Sequence, residues 1–220
     1  MQRIARQSRH RWARGHILLL GLAACGGDIQ PEPGPQQPTG GEPPALFRHT
    51  READGSVTTS VDATDGAAWR ALDLDTGEAA EAAVQSAWDV SFQRFHIRTR
   101  GGVNGTGGVG VALLPDAFES LTQAPASGYH EDAVDSDDTD SEPDNVFERV
   151  EDGWYSYDVM THTLTPRART YVLRSDEGRY FKLRMLSYYD PAGSPAVISF
   201  RWKQVDPPGP SLTHEQGRHP

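Results

Sequence analysis

The sequence predicts a mostly-β protein: one antiparallel β domain, a sandwich or half-open barrel with a single short helix, behind a signal peptide and a proline-rich tether. Three observations carry that expectation. Apolar residues in the central part of the chain alternate along short runs instead of recurring at every third or fourth place. The runs are rich in aromatic and β-branched residues. Glycine, proline and aspartate clusters separate one run from the next.

The chain opens with a segment of another kind. Arg3, Arg6, Arg9, Arg11 and Arg14 precede a short apolar run, Ile17 to Ala24, which ends in Leu22-Ala23-Ala24-Cys25. Basic residues, an apolar run and small residues in that order form an export signal, here residues 1–24. Eight apolar residues rise only about 12 Å as a helix, well short of a hydrocarbon core of roughly 30 Å. The Leu-Ala-Ala-Cys ending resembles the bacterial lipobox, which implies that Cys25 is acylated and becomes the first residue of the mature protein. The competing reading is an ordinary cleaved signal with an incidental cysteine. Cys25 is the only cysteine in the chain, so an internal disulfide cannot account for it, and acylation does. Two or more acyl chains hold a protein on a membrane where one does not.

Removal of the five leading arginines leaves 16 Lys+Arg against 31 Asp+Glu, a net charge of −15. Such a chain is repelled by nucleic acid, so nucleic-acid binding is excluded as a function class. Residues 25–45 then form the lipidated end and its linker, with six prolines between Gly26 and Pro44 and no apolar period. A segment of that composition stays extended and solvated. The β domain is expected over 46–205, and a frayed polar tail over 206–220.

Within the domain, Trp88, Val90 and Phe92 share one parity, while Phe95 and Ile97 have the other. The switch predicts a bulge near Gln93-Arg94, or a break there. Val109, Val111 and Leu113 alternate after Gly107-Gly108, so the glycine-rich stretch Gly101 to Gly110 reads as a hairpin connection and not a phosphate loop. Asp116 to Gln123 reads as the short helix, with Asp116 as N-cap. Four further runs read as strands: Trp154 to Val159, Thr170 to Arg174, Tyr180 to Tyr189 and Val197 to Trp202. In the last, Ile198, Phe200 and Trp202 point one way.

Chemistry is sparse. No Gly-x-Ser-x-Gly, Ser-x-x-Lys or His-Glu-x-x-His pattern occurs, and the chain is expected not to be an enzyme. Glu131 to Asp144 is dense in carboxylates, among them Asp137 and Asp138. It lacks the turn glycine and closing glutamate of an EF-hand loop, so it reads as a solvated acidic loop. His96 lies on the parity of Arg94 and Arg98 and is expected to face solvent. His130 sits beside the acidic run, and His162 in the link after the Trp154 strand.

Two stretches carry a family resemblance. The first is Trp88-Asp89-Val90-Ser91-Phe92-Gln93-Arg94-Phe95-His96-Ile97-Arg98, followed by Gly101-Gly102 and Gly105-Thr106-Gly107-Gly108. The second runs from Gly153-Trp154 through Thr170-Tyr171-Val172-Leu173-Arg174, Gly178-Arg179-Tyr180-Phe181-Lys182-Leu183 and Tyr188-Tyr189-Asp190 to Ile198-Ser199-Phe200-Arg201-Trp202. Together they resemble the HmuY-like family of haem-binding lipoproteins, over residues 55–205, with shorter loops. The resemblance implies a mostly-β protein on the outer membrane, anchored through its lipid, that binds haem and passes it to a TonB-dependent outer-membrane receptor. It also implies two axial iron ligands, His or Met, from loops on either side of the strand that begins at Trp154. His162 is the leading candidate, with Met160 and His130 as possible partners. If the link is extended, Met160 and His162 project the same way, and the opposite face then needs His130 or stays open. An apolar slot for the porphyrin would draw on Tyr155, Tyr157, Met185 or Tyr188. The rival function is a tethered interaction or structural lipoprotein that kept the scaffold without the ligand.

Overall fold

In the computed structural model, residues 45–209 are described, except 84–85, 116–117, 137–142 and 150. The signal peptide, Cys25, the tether to residue 44, the tail from 210, Asp116 and the middle of the acidic loop, with Asp137 and Asp138, lie outside the described residues.

The strands are β1 (Phe47–Arg51), β2 (Val57–Asp62), β3 (Arg70–Asp73), β4 (Glu78–Ala80), β5 (Val90–Gln93), β6 (His96–Thr99), β7 (Gly110–Pro115), β8 (Tyr155–Asp158), β9 (Thr163–Pro166), β10 (Arg169–Arg174), β11 (Tyr180–Tyr189) and β12 (Pro195–Val205). They form a six-stranded sheet in the order β1-β2-β12-β11-β10-β7, a four-stranded sheet in the order β4-β3-β5-β6, and the separate hairpin β8-β9. Every strand pairing is antiparallel, and neither large sheet closes on itself. The architecture is an open two-sheet β fold rather than a barrel.

One core unites the two sheets. The Phe92 ring of β5 stacks on the Phe200 ring of β12 with centroids 5.2 Å apart. Ile198 and Phe200 are fully buried and Trp202 nearly so, as the alternation predicts. On β11 the same face is carried by Phe181, Leu183 and Met185. Leu186 follows the alternation outward, and a register shift between Met185 and Tyr189 then turns Tyr188 inward. Met185 and Tyr188 are therefore core residues.

The parity switch after Phe92 is a break, not a bulge. Gln93 pairs with His96, and Arg94-Phe95 forms the intervening turn, with Arg94 in the left-handed region at φ 55°. Trp154 fixes this turn from the other side, its indole N–H donating to the Phe95 carbonyl at 3.0 Å.

Two expectations are overturned. Phe118 to Gln123 contains no helix: a turn runs into an extended segment in which Gln123 bridges Asp206. The cause is distant in sequence. The Lys182 ammonium donates to the carbonyls of Phe118 and Leu121, and the Asp206 backbone pairs with Thr122 and Ala124. Pro125 adds a local bias against helix for the residue before it. The helical content among the described residues is two single 3-10 turns, Gly102–Asn104 and Val146–Glu148.

The second is the glycine-rich stretch, which joins β6 in one sheet to β7 in the other and so is a crossover, not a hairpin link. Its glycines are required by close approach: Gly102 has φ 57°, and a Cβ there would overlap the Asp132 carbonyl.

Candidate functional site

The segment 128–154 and the β8-β9 hairpin hold the residues that the sequence singles out. Asp132 organises the first. One of its oxygens accepts the Val146 amide at 2.8 Å, and the other accepts the Thr99 amide, the Thr99 hydroxyl and the Asn104 side-chain amide at 2.7–2.9 Å. Burial raises its pKa against those hydrogen bonds. At this point the acidic loop is a buried clamp and not a solvated run. Glu131 adds a hydrogen bond from the Gly102 amide at 2.8 Å.

His96 is likewise not simply solvent-facing. It is half-buried, its Nδ1 lies 2.9 Å from Glu148, and the other Glu148 oxygen accepts the Ile97 amide at 2.6 Å.

His130 enters the fold through backbone pairing. Its amide and carbonyl exchange hydrogen bonds with Val111 at 2.9 and 2.8 Å, which docks residues 129–130 on the free edge of β7. Side chains of directly opposed residues share a face, so His130 lies on the inner side with Val111. Tyr129 packs on the outer side against Tyr180, with ring centroids 5.9 Å apart. His130 is exposed at the mouth of a cleft of about 310 Å³ whose floor is Val111, Leu113, Val146 and Tyr171.

His162 sits at the tip of the hairpin. Asp158 pairs with Thr163, so Val159 to His162 form a four-residue loop. The amides of Met160 and Thr161 donate to the Asp158 carboxylate, holding its pKa below the usual range. His162 closes the loop at φ 54°, a conformation uncommon outside glycine. Its Nδ1 shares a 2.6 Å hydrogen bond with the Tyr157 hydroxyl. An imidazole whose Nδ1–H donates to that oxygen presents an unprotonated Nε2, the form a metal ligand takes. The hairpin itself is braced against β11 by the Leu164 amide, which donates to the Tyr189 hydroxyl at 3.0 Å.

The structure therefore presents the candidates as two groups. Met160 and His162 share the hairpin tip, while His130 lies on the β7 edge, and no hydrogen bond or ring contact joins His130 to the hairpin among the described residues. The link from Met160 to His162 is a turn and not extended, so their common projection does not follow. Met160 is 85% exposed. Tyr155 is half-buried and packs edge-on to Phe95 and Trp154. Tyr157 orients His162, a role within reach of sequence because a hairpin register brings the two residues together. Arg149 also reaches the cleft, and no motif marked it.

The hairpin tip fits a haem iron on one side only. It offers an oriented imidazole, and among the described residues no hydrogen bond or ring contact brings a second candidate ligand to it. A trio of carboxylates elsewhere, Asp73, Asp75 and Asp89, brings its oxygens within 4.8 Å of one another. Backbone amides account for much of it: Asp89 accepts those of Leu74 and Asp176, and Asp73 those of Asp75 and Thr76.

Comparison with known proteins agrees with this architecture. The family model described as HmuY protein matches residues 65–202. The apo HmuY analogue of Tannerella forsythia superposes with a TM-score of 0.54 at 16% identity, covering 73% of this chain and 97% of that one. A Bacteroides fragilis protein described as a candidate lipoprotein superposes at 0.52 with 20% identity, covering 70% and 91%. At those identities the likeness shows the fold alone. No curated protein is similar enough to the chain to count as a match. With well over half of its length matched by the family model, the chain belongs to the HmuY family.

Proposed function

We propose that this protein is a non-enzymatic surface lipoprotein that binds haem at the β8-β9 hairpin through His162 and delivers it to a TonB-dependent outer-membrane receptor. The observation that carries the reading is the His162–Tyr157 hydrogen bond, at the loop where the family resemblance expects an iron ligand. A haem supplies a ferric iron that takes imidazole nitrogen as an axial ligand. Tyr157 fixes the direction of the ring, and the left-handed turn at His162 holds the side chain at the tip. Any second protein ligand to a haem would come from outside the hairpin. Acylation at Cys25 and the tether behind it supply the anchor and the reach.

A second reading, a tethered interaction lipoprotein without haem, is favoured by one observation: among the described residues no hydrogen bond or ring contact joins His130 to the hairpin that carries His162. Adding ferric haem to the mature chain separates the two readings. A saturable Soret shift is expected. Its absence removes haem binding and leaves the interaction reading.

A further inference from the structure

The β8-β9 hairpin forms a separate two-stranded sheet, and β8 is exposed from Ser156 to Asp158. Its loop carries the most exposed large apolar residue among the described ones, Met160 at 85%, with Val159 beside it at 68% and Tyr157 on the adjoining strand at 48%. His162 is exposed in the same loop, its ring directed by Tyr157. The carboxylate at the start of the loop, Asp158, is engaged by the amides of Met160 and Thr161. Apolar side chains gathered in the open around an exposed imidazole form a contact surface.

A haem has two flat apolar faces, and small-molecule sites bury most of their ligand's surface. The loop Val159 to His162, exposed at every residue, offers side chains to one face. The other imidazoles of the described residues are held elsewhere: His49 bonds Thr59, His96 bonds Glu148, and the His130 backbone pairs with Val111 on β7. Met185 is enclosed in the core. No hydrogen bond or ring contact among the described residues brings any of these groups to the hairpin tip.

Resting on the haem reading, we infer that a second copy of this chain completes the site: one haem lies between two hairpin tips, and His162 of each copy supplies one axial nitrogen. Tyr157, Val159 and Met160 of both copies then cover the porphyrin, which removes their apolar surface from water. Two identical tips on opposite faces of one haem make a twofold contact that closes on itself, so the assembly stops at two. The net charge of the mature chain, −15, holds copies apart without the ligand, and association therefore follows haem. Copies anchored on one membrane through Cys25 meet at a raised effective concentration.

The test is absorption titration of the full mature chain, made lipid-free by Cys25→Ser, with ferric haem, its mass followed by sedimentation at each step. A monomer is expected without haem, then saturation at one haem per two chains with a doubling of mass over the same range. His162→Asn keeps a residue type that accepts the left-handed turn; it should lose the doubling and bind haem about tenfold more weakly or worse. Saturation at one haem per chain with unchanged mass, as a second ligand from the same chain would give, overturns the bridge and leaves haem binding intact. A doubling that persists in His162→Asn, or a dimer already formed without haem, overturns the bridge as well. No Soret shift at all overturns the haem reading and the bridge together.

Discussion

Asp132 makes four hydrogen bonds from a fully enclosed position and joins three segments: β6, the glycine crossover and the 3-10 turn that carries Arg149. Asp132→Ala leaves those donors buried without an acceptor, at about 1–3 kcal/mol for each one that water does not reach. A fall in the urea midpoint of Asp132→Ala well beyond that of Glu131→Ala is the expected outcome. Asp89 is a different case. Burial pushes its pKa up to about 7 despite two amide donors. The folded state then binds a proton that the unfolded state has released, so stability falls as pH rises from the ordinary carboxylate range through about 7. Unfolding midpoints should be higher at acidic than at alkaline pH across that window, with a shallower slope in Asp89→Asn. Neither residue's role was legible in the sequence. Asp132 reads as one member of an acidic run, and its partners Thr99 and Asn104 stand 28 to 33 positions away.

At the scale of elements, legibility follows the distance over which each is determined. The alternation of Ile198, Phe200 and Trp202 is a local property, and β12 forms as it predicts. The parity switch after Phe92 marked a true discontinuity, resolved as a two-residue turn because Arg94 adopts the left-handed conformation. The segment Phe118 to Gln123 has a helical local pattern, but its carbonyls are taken by Lys182, more than sixty positions on. The crossover was misread because its glycines answer a backbone contact and not a turn type. Gly102→Ala meets both a left-handed φ and the Asp132 carbonyl, and should destabilise by more than about 1 kcal/mol in chemical unfolding. Of the candidate site, the loop position of His162 after the Trp154 strand was legible, while strand β9, which makes that loop a hairpin tip, was not. The docking of His130 on β7 was not legible either, because it depends on which strand edge residues 129–130 join.

At the scale of the whole molecule, the proposal is that a lipid at Cys25 holds the β domain on a membrane. A Cys25→Ser protein is expected to lose its acyl label and leave the membrane fraction. Retention of labelled protein there would place the anchor elsewhere. The central claim, that the hairpin of this HmuY-family chain takes haem through His162, is tested most directly by absorption titration with ferric haem of the wild type, His162→Ala and His130→Ala. A saturable Soret band is expected in the wild type and in His130→Ala, with affinity lowered by about tenfold or more in His162→Ala. An unchanged titration in His162→Ala, or loss of the band in His130→Ala instead, would contradict it.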